Sequence, residues 1–399
     1  MSEKGDNRIR LGDLIRNRID EDTFEGKYNA SIRRRVLFIL SLIIISIALF
    51  FVSVGLGAVN ISLKDTLKVF GQLILPDTIK VFCYLFLPSL MEMPSVHAAD
   101  ILLASRMPRV VLVIFTGFSL GVAGMIMQGL LRNPLVSPFT LGVSTAASFG
   151  AAMSIVFGSS IFGNLMYTVV TIGTVKFDIG DMITVLFAFV FAMLSIIIIL
   201  MLTKGKNTSR SMVILSGVVI SYLFQAGVMA SKYISDDEQL REITLWIMGS
   251  MAGATWGIIL ILLPIVVICS ILLFKVSMDV NALSAGDDVA SNLGVNVSSL
   301  RKKSLVISTL MTSACLAFTG VIGFIGLMAP HICRMIIGND SRYLMPAAGF
   351  MGVVILLISD LFCRLIIRPG ELPVGIVMYV IGGIFFIWMI SNRKWSQRI

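Results

Sequence analysis

The sequence predicts an all-α protein, a bundle of about ten membrane-crossing helices, and three observations carry that prediction. Of 399 residues, 57% are hydrophobic and 14% charged, with a mean hydropathy of +0.94. A soluble domain is about 25% charged, and no water-soluble core hides so much apolar surface. Uncharged runs long enough to cross a hydrocarbon layer of roughly 30 Å recur along the chain. The basic residues flank these runs rather than forming one patch, so the net charge of +9 suits a membrane surface and not a nucleic acid.

Residues 1–35 form a densely charged tail ending in Arg33-Arg34-Arg35. Leu11, Leu14, Ile15 and Ile19 recur at helical spacing among Arg10, Asp13, Arg16, Arg18 and Asp20, which suits a short helix on the inner leaflet and equally a solvated tail. The next apolar run is too long for a signal-peptide core and lacks a small-residue cleavage site after it, so it is expected to stay as an anchor. Spans are predicted at 36–59, 108–131, 139–158, 182–203, 211–231, 250–274, 304–323, 325–338, 343–363 and 372–392. The stretch 304–333 is too long for one upright helix and too short for two full ones. Gly320, Gly323, Gly326 and Pro330 predict a break inside it.

The second tail is also basic, through Arg393, Lys394 and Arg398. Positive loops stay on the cytoplasmic side, so an even number of spans puts both ends inside, together with most of the 32 Lys and Arg residues. Two outer loops are then long. Loop 60–105 carries an amphipathic stretch around Leu63, Leu67 and Phe70, and both it and loop 159–181 are expected to fold against the outer surface.

Several chemistries lack their residues. Cys83, Cys269, Cys315, Cys333 and Cys363 include no Cys-x-x-Cys and read as buried small apolar residues, with neither a disulfide framework nor a thiolate metal site. There is no Gly-x-x-x-x-Gly-Lys-Ser/Thr loop and no His-Glu-x-x-His, so any ATP is held by another chain. His97 and His331 are too few for a histidine metal pathway, and Met91, Glu92, Met93, His97 and Asp100 read as ordinary outer loop. No metal and no cofactor are expected. Span centres lack the charges that mark ion pathways. The nearest case is Asp360 with Arg364, spaced i, i+4 at the outer end of span nine. They read either as a local ion pair or as a binding surface carried by Arg364.

Other segments point to packing and contact. Gly117, Gly121 and Gly124, and later Gly320 and Gly323, permit close backbone approach between helices. Arg132-Asn133-Pro134-Leu135-Val136-Ser137-Pro138 predicts a tight, ordered inner turn, because two prolines end one helix and restart the next. The inner loop 278–300 holds an amphipathic helix, with Leu283, Ala285, Val289, Ala290 and Leu293 among Asp287, Asp288 and Ser291 and a stop at Gly294. Such a helix can press into a groove of a soluble partner. Its acidic first turn would be repelled by an anionic leaflet.

Together these segments resemble the FecCD family, the permeases of type II ABC importers for iron-siderophores, haem and cobalamin. The resemblance covers roughly residues 36–395 and rests on separated motifs in order. They begin with Arg106-Met107-Pro108-Arg109, then Gly121 to Gln128 running into Arg132-Asn133-Pro134-Leu135, then Pro138 and Leu141-Gly142-Val143. Ser284-Ala285-Gly286 follows with Ala290 to Val297, then Gly323-Phe324-Ile325-Gly326-Leu327 leading to Ala329-Pro330-His331-Ile332 and Arg334. Asp360, Arg364, Glu371-Leu372-Pro373-Val374-Gly375 and Gly382-Gly383 to Phe386 complete the set. The charged tail and the enlarged outer loops depart from the family pattern.

The resemblance implies a permease domain at 36–395 in a bacterial inner membrane, importing an iron-siderophore, haem or cobalamin-type cargo. It implies a second permease copy or paralogue, two ATP-binding subunits below and an extracytoplasmic substrate-binding protein above, with membrane lipid around and no nucleic acid. Arg106, Arg109 and Arg364 look like the outer arginines that receive the binding protein's carboxylates, for which guanidinium forks are suited. The bland alternative for them is snorkelling to headgroups. Ser284, Ala285, Gly286, Asp287, Ala290, Leu293 and Gly294 look like the segment that fits the ATPase cleft. Ser216, Gly217, Ser221 and Gln225 of span five look like a mildly polar pathway wall. Asn133, Pro134, Pro330, His331 and Pro373 look structural, with His331 in a structural or hinge role and not a metal ligand. The competing function classes are an ion-coupled secondary transporter and an intramembrane enzyme or sensor.

Overall fold

Hydrocarbon offers the backbone no hydrogen-bond partner, so a crossing segment satisfies its N–H and C=O groups internally, as a helix does. The computed structural model describes residues 24–57, 101–172, 175–204, 210–367 and 370–391. It opens with α1 (Phe24–Gly55); then a π-helical turn, Ile101–Arg106, runs into α2 (Met107–Leu131). Next come α3 (Val143–Phe162), a 3-10 turn at Gly163–Tyr167, and the strands β1 (Val169–Ile172) and β2 (Val175–Asp178). The strands form an antiparallel hairpin with Val169 opposite Asp178. The chain continues through α4 (Ile179–Leu202), α5 (Arg210–Ile234), α6 (Asp237–Met248) and α7 (Trp256–Lys275). It ends with α8 (Ser277–Ala285), α9 (Asp287–Asn292), α10 (Val297–Thr319), α11 (Ile325–Ile337), α12 (Ser341–Ile366) and α13 (Val374–Ser391).

Among the described residues, α1 to α5, α7, α12 and α13 are long and apolar enough to cross a membrane. The predicted spans 304–323 and 325–338 correspond to α10, which carries Arg301, Lys302 and Lys303 near its start, and to α11, of 13 residues. α2 is the central helix and packs against α12, α10, α11 and α7. In its most apolar window 78% of residues are buried within the chain, against 17% for the peripheral α1. The glycines explain how its neighbours come so near. A Cβ on Gly121 would run into the Ala348 carbonyl, one on Gly124 into the backbone of Gly326, and one on Gly117 would lie 2.6 Å from the Gly352 carbonyl oxygen.

Several boundaries differ from expectation for local physical reasons. α1 begins at Phe24, inside the predicted tail, because Arg34 and Arg35 find partners in the Ile336 carbonyl and Asp340. The break in 304–333 falls at Gly320 to Phe324, where Gly320 has φ +68° and Phe324 φ +65°. Gly326 and Pro330 lie within α11 instead of at the break. Pro330 has no N–H for the carbonyl four residues back, and the Gln128 side chain donates to that Gly326 oxygen at 3.2 Å. The predicted span 250–274 starts only at Trp256, after the bend that follows Gly249 (φ +69°). α6 lies in a segment with no predicted helix; Asp236 and Gln239 cap it reciprocally. The single amphipathic helix expected at 283–294 is two helices, because Gly286 adopts φ +142° and α9 restarts on Asp287. The expected helix at Leu11 to Ile19, the stretch around Leu63, Leu67 and Phe70, and the Met91 to Asp100 cluster fall outside the described residues.

Asp340 ties three helices together at one end of the bundle. It caps α12, accepts from Asn281 of α8 at 2.8 Å, and pairs with Arg342 at 2.7 Å and with Arg35 of α1 at 3.2 Å. The hydrogen bonds from Arg342 hold its carboxyl at about 2, below the ordinary 3.9. A depressed carboxyl contributes stability above the unfolded value and loses it as pH falls towards the folded one. Thermal midpoints in detergent should therefore drop between about pH 4 and pH 2 in the wild type. In Asp340→Ala, already weakened by about 1 kcal/mol through the lost cap, that part of the drop should be absent. Parallel acid profiles in the two proteins would contradict this.

Candidate functional site

The chain presents two candidate surfaces, one at each end of the bundle. The first is built where α1 stops. The last carbonyls of a helix lack intrahelical donors and form the negative end of its dipole. Arg106 Nη1 donates to the Val54 and Gly55 carbonyls at 3.1 and 2.8 Å, and Arg364 Nη1 to those of Ser53 and Leu56 at 2.9 and 3.0 Å. Asp360, fully buried, accepts from Arg109 Nε and Nη2 at 3.0 and 2.8 Å. Arg364 Nε lies 3.0 Å from its other oxygen at an angle unsuited to a hydrogen bond. Arg109 Nη1 also pairs with Glu371 at 2.5 Å.

The expected open rim of Arg106, Arg109 and Arg364 is thus a buried clasp. Arg106 and Arg364 are 6% and 2% exposed, because free carbonyls and a buried carboxylate inside the chain match their donors better than headgroups do. Arg109 retains a little exposure, and its partner Glu371 is about one third exposed. Asp360 with Arg364 was legible as an i, i+4 pair. The link to Arg109 was not, although a carboxylate within an apolar helix invites a search for further cations.

The second surface surrounds α8 and α9. Asp287 pairs with Arg301 at 2.8 Å and with Arg210 at 3.1 Å. Arg301 Nε reaches the Leu130 carbonyl of α2 at 3.2 Å, and Arg132 reaches that of Ser284 at 2.8 Å. Ala290 is buried and anchors α9, while Ser284, Ala285, Gly294 and above all Leu293, at 68% exposure, face outward beside Val289. An exposed apolar knob is thereby fastened to the end of the central helix.

The remaining predicted residues occupy structural positions. Asn133 Oδ1 accepts from the Leu135 N–H at 2.9 Å, and Arg132, at φ +48°, ends α2; this is the ordered turn expected before Pro134. Pro373 precedes α13, its carbonyl accepting from Ile376. His331 packs its ring edge-on to Phe385 at 6.1 Å. On α5, Gly217 is buried against Leu141, and the half-buried Ser221 hydroxyl donates its proton to the Gly217 carbonyl and keeps only acceptor lone pairs. Ser216 and Gln225 are half-buried, and the open face of α5 is apolar, with Leu215, Val219, Tyr222 and Leu223.

The model of the FecCD transport family matches residues 43–392. The hemin transport system permease of Yersinia pestis is 36% identical over 72% of this chain and 82% of its own length. The Fe(3+) dicitrate transport system permease of Escherichia coli is 33% identical over 74% and 86%, and the molybdate import system permease of Haemophilus influenzae 30% over 90% and 96%. A solved structure presented as an inward-facing metal-chelate type ABC transporter superposes with a TM-score of 0.68 at 26% identity, covering 87% of this chain and 96% of that one.

Proposed function

Because the chain belongs to the FecCD transport family, we propose that it carries a ferric siderophore, or a related haem- or cobalamin-type compound, across a bacterial inner membrane on ATP hydrolysed by two separate subunits. The chain itself is a multi-pass membrane permease of the ABC importer class and not an enzyme. Iron chelates lead as cargo because relatives named for hemin and ferric dicitrate are among its matches.

One observation supports ATP coupling above the others: the link from Leu293 and Val289 through Asp287 and Arg301 to the Leu130 carbonyl at the end of α2. An ATPase that grips this knob and changes shape displaces the central helix and not merely a loop, which is the discrete two-state element that coupling needs. In this reading the knob and both termini are cytoplasmic and the clasp faces outward. There Arg109 exchanges Glu371 for a carboxylate of the substrate-binding protein, while Arg106 and Arg364 keep α1 in place. The apolar face of α5 lines the pathway with that of a second permease copy, Ser216 and Gln225 at its margin. Ion coupling has less support, since Asp360, the one fully buried carboxylate among the described residues, is held by Arg109 and Arg364.

The test is uptake in a deletion strain complemented by this chain, across ferric siderophores, ferric dicitrate, haem and cobalamin. Accumulation of one iron chelate should collapse on ATP depletion and survive an uncoupler. The reverse pattern would install the ion-coupled alternative.

A further inference from the structure

Where α2 ends, a cavity of about 330 Å³ opens between its last turn, the Arg132–Pro134 turn, α8, α11 and the start of α12. Its wall includes Arg132, His331, Arg334, Asn133 and Ser341, and among the described residues that line it none is Asp or Glu. Arg334 Nη2 donates to Gln128 Oε1 at 3.0 Å, and its Nε and Nη1 have no hydrogen-bond partner among the described residues. Gln128 is itself fixed by its amide on the Gly326 carbonyl, so it can only present oxygen to Arg334 and holds the guanidinium in place. Arg132 uses one donor on the Ser284 carbonyl.

The surrounding cations are treated differently. Arg210 and Arg301 share the carboxylate of Asp287, and Arg35 and Arg342 that of Asp340. Exposed Arg132 and half-buried Arg334 therefore face one partly enclosed space with no carboxylate among the described residues that line it, and the partial burial of Arg334 makes its unpaired charge costly until an anion enters. Guanidinium forks match the oxygens of a phosphate, and the volume admits a phosphate group with part of a substituent.

We propose that this cavity binds a phosphate-class anion, taken either as free phosphate or as the phosphate of an anionic lipid headgroup. The site is separate from the cargo pathway and borders the coupling surface, with which it shares Arg132 and Ser284.

Two measurements on the full-length protein test it. In detergent, millimolar inorganic phosphate should raise the thermal midpoint above that in chloride at equal ionic strength, and Arg334→Gln should weaken the derived Kd about tenfold or more. In nanodiscs of phosphatidylcholine with or without phosphatidylglycerol, native mass spectrometry should show phosphatidylglycerol retained by the wild type and not by the variant if the lipid is the source. Retention confined to phosphate, or to phosphatidylglycerol displaced by phosphate, identifies which source fills the site. Should Arg334→Gln fail to fold, Arg132→Gln and Arg334→Lys ask the same question, the latter keeping the charge while losing the fork. No preference for phosphate over chloride and no lipid retention, or equal binding by wild type and variants, would overturn the assignment.

Discussion

Asp360→Ala should cost the protein about 3–5 kcal/mol, because it strands buried cations whose counter-charge is gone. Asp360 is fully buried and lies within 3.0 Å of both Arg109 and Arg364. Removing it leaves Arg109 with Glu371 alone and Arg364 with the carbonyls of α1. The loss should appear as an earlier midpoint on titration of detergent-purified protein with sodium dodecyl sulfate. Asp360→Asn should fall between the two, since its amide oxygen still accepts from Arg109 while the charge is lost. Glu371→Gln should move the midpoint little, its carboxylate being partly in solvent. A midpoint for Asp360→Ala equal to that of Glu371→Gln would show that the clasp is not a stabilising unit.

Gly124→Val should prevent folding altogether. A Cβ at this position would sit on the backbone of Gly326, and backbone, unlike a side-chain tip, cannot swing away. Overpacking a core commonly costs about 1–3 kcal/mol; here the displaced atom is also the carbonyl that Gln128 satisfies in place of the missing Pro330 N–H. Gly383→Ala is the matched control, as nothing lies within 4 Å of a Cβ added there. Size-exclusion profiles after expression should show a monodisperse peak for the control and none for Gly124→Val. Equal peaks would mean that α2 and α11 do not pack this closely.

What the sequence reveals here follows the range of the interaction. Long uncharged runs, the glycine row of α2, the turn at Arg132 to Pro138 and the break after Gly320 rest on neighbours in the chain, and each is where local chemistry puts it. The capping signal of α6, Asp236 with Gln239, was equally local and was masked only by the want of an apolar run beside it. The clasp was not legible, because Arg109 and Asp360 are 251 positions apart and Arg364 reaches Ser53 across 311. An arginine at a helix end reads as surface-seeking unless one knows that another helix ends beside it with its carbonyls unpaired. The same holds for Gln128, whose role depends on a proline two hundred residues away.

The central claim is that the knob at Val289 and Leu293 couples ATP hydrolysis to movement of α2. It is tested most directly in proteoliposomes holding this chain with the proposed ATPase and substrate-binding partners, by measuring entry of whichever chelate supports growth in the complementation test. Wild-type vesicles should accumulate it only with ATP on the knob side and regardless of any ion gradient. Those carrying Leu293→Asp should transport at least tenfold more slowly while the permease remains folded. Accumulation driven by a proton or sodium gradient without ATP, or unimpaired transport by Leu293→Asp, would contradict the account.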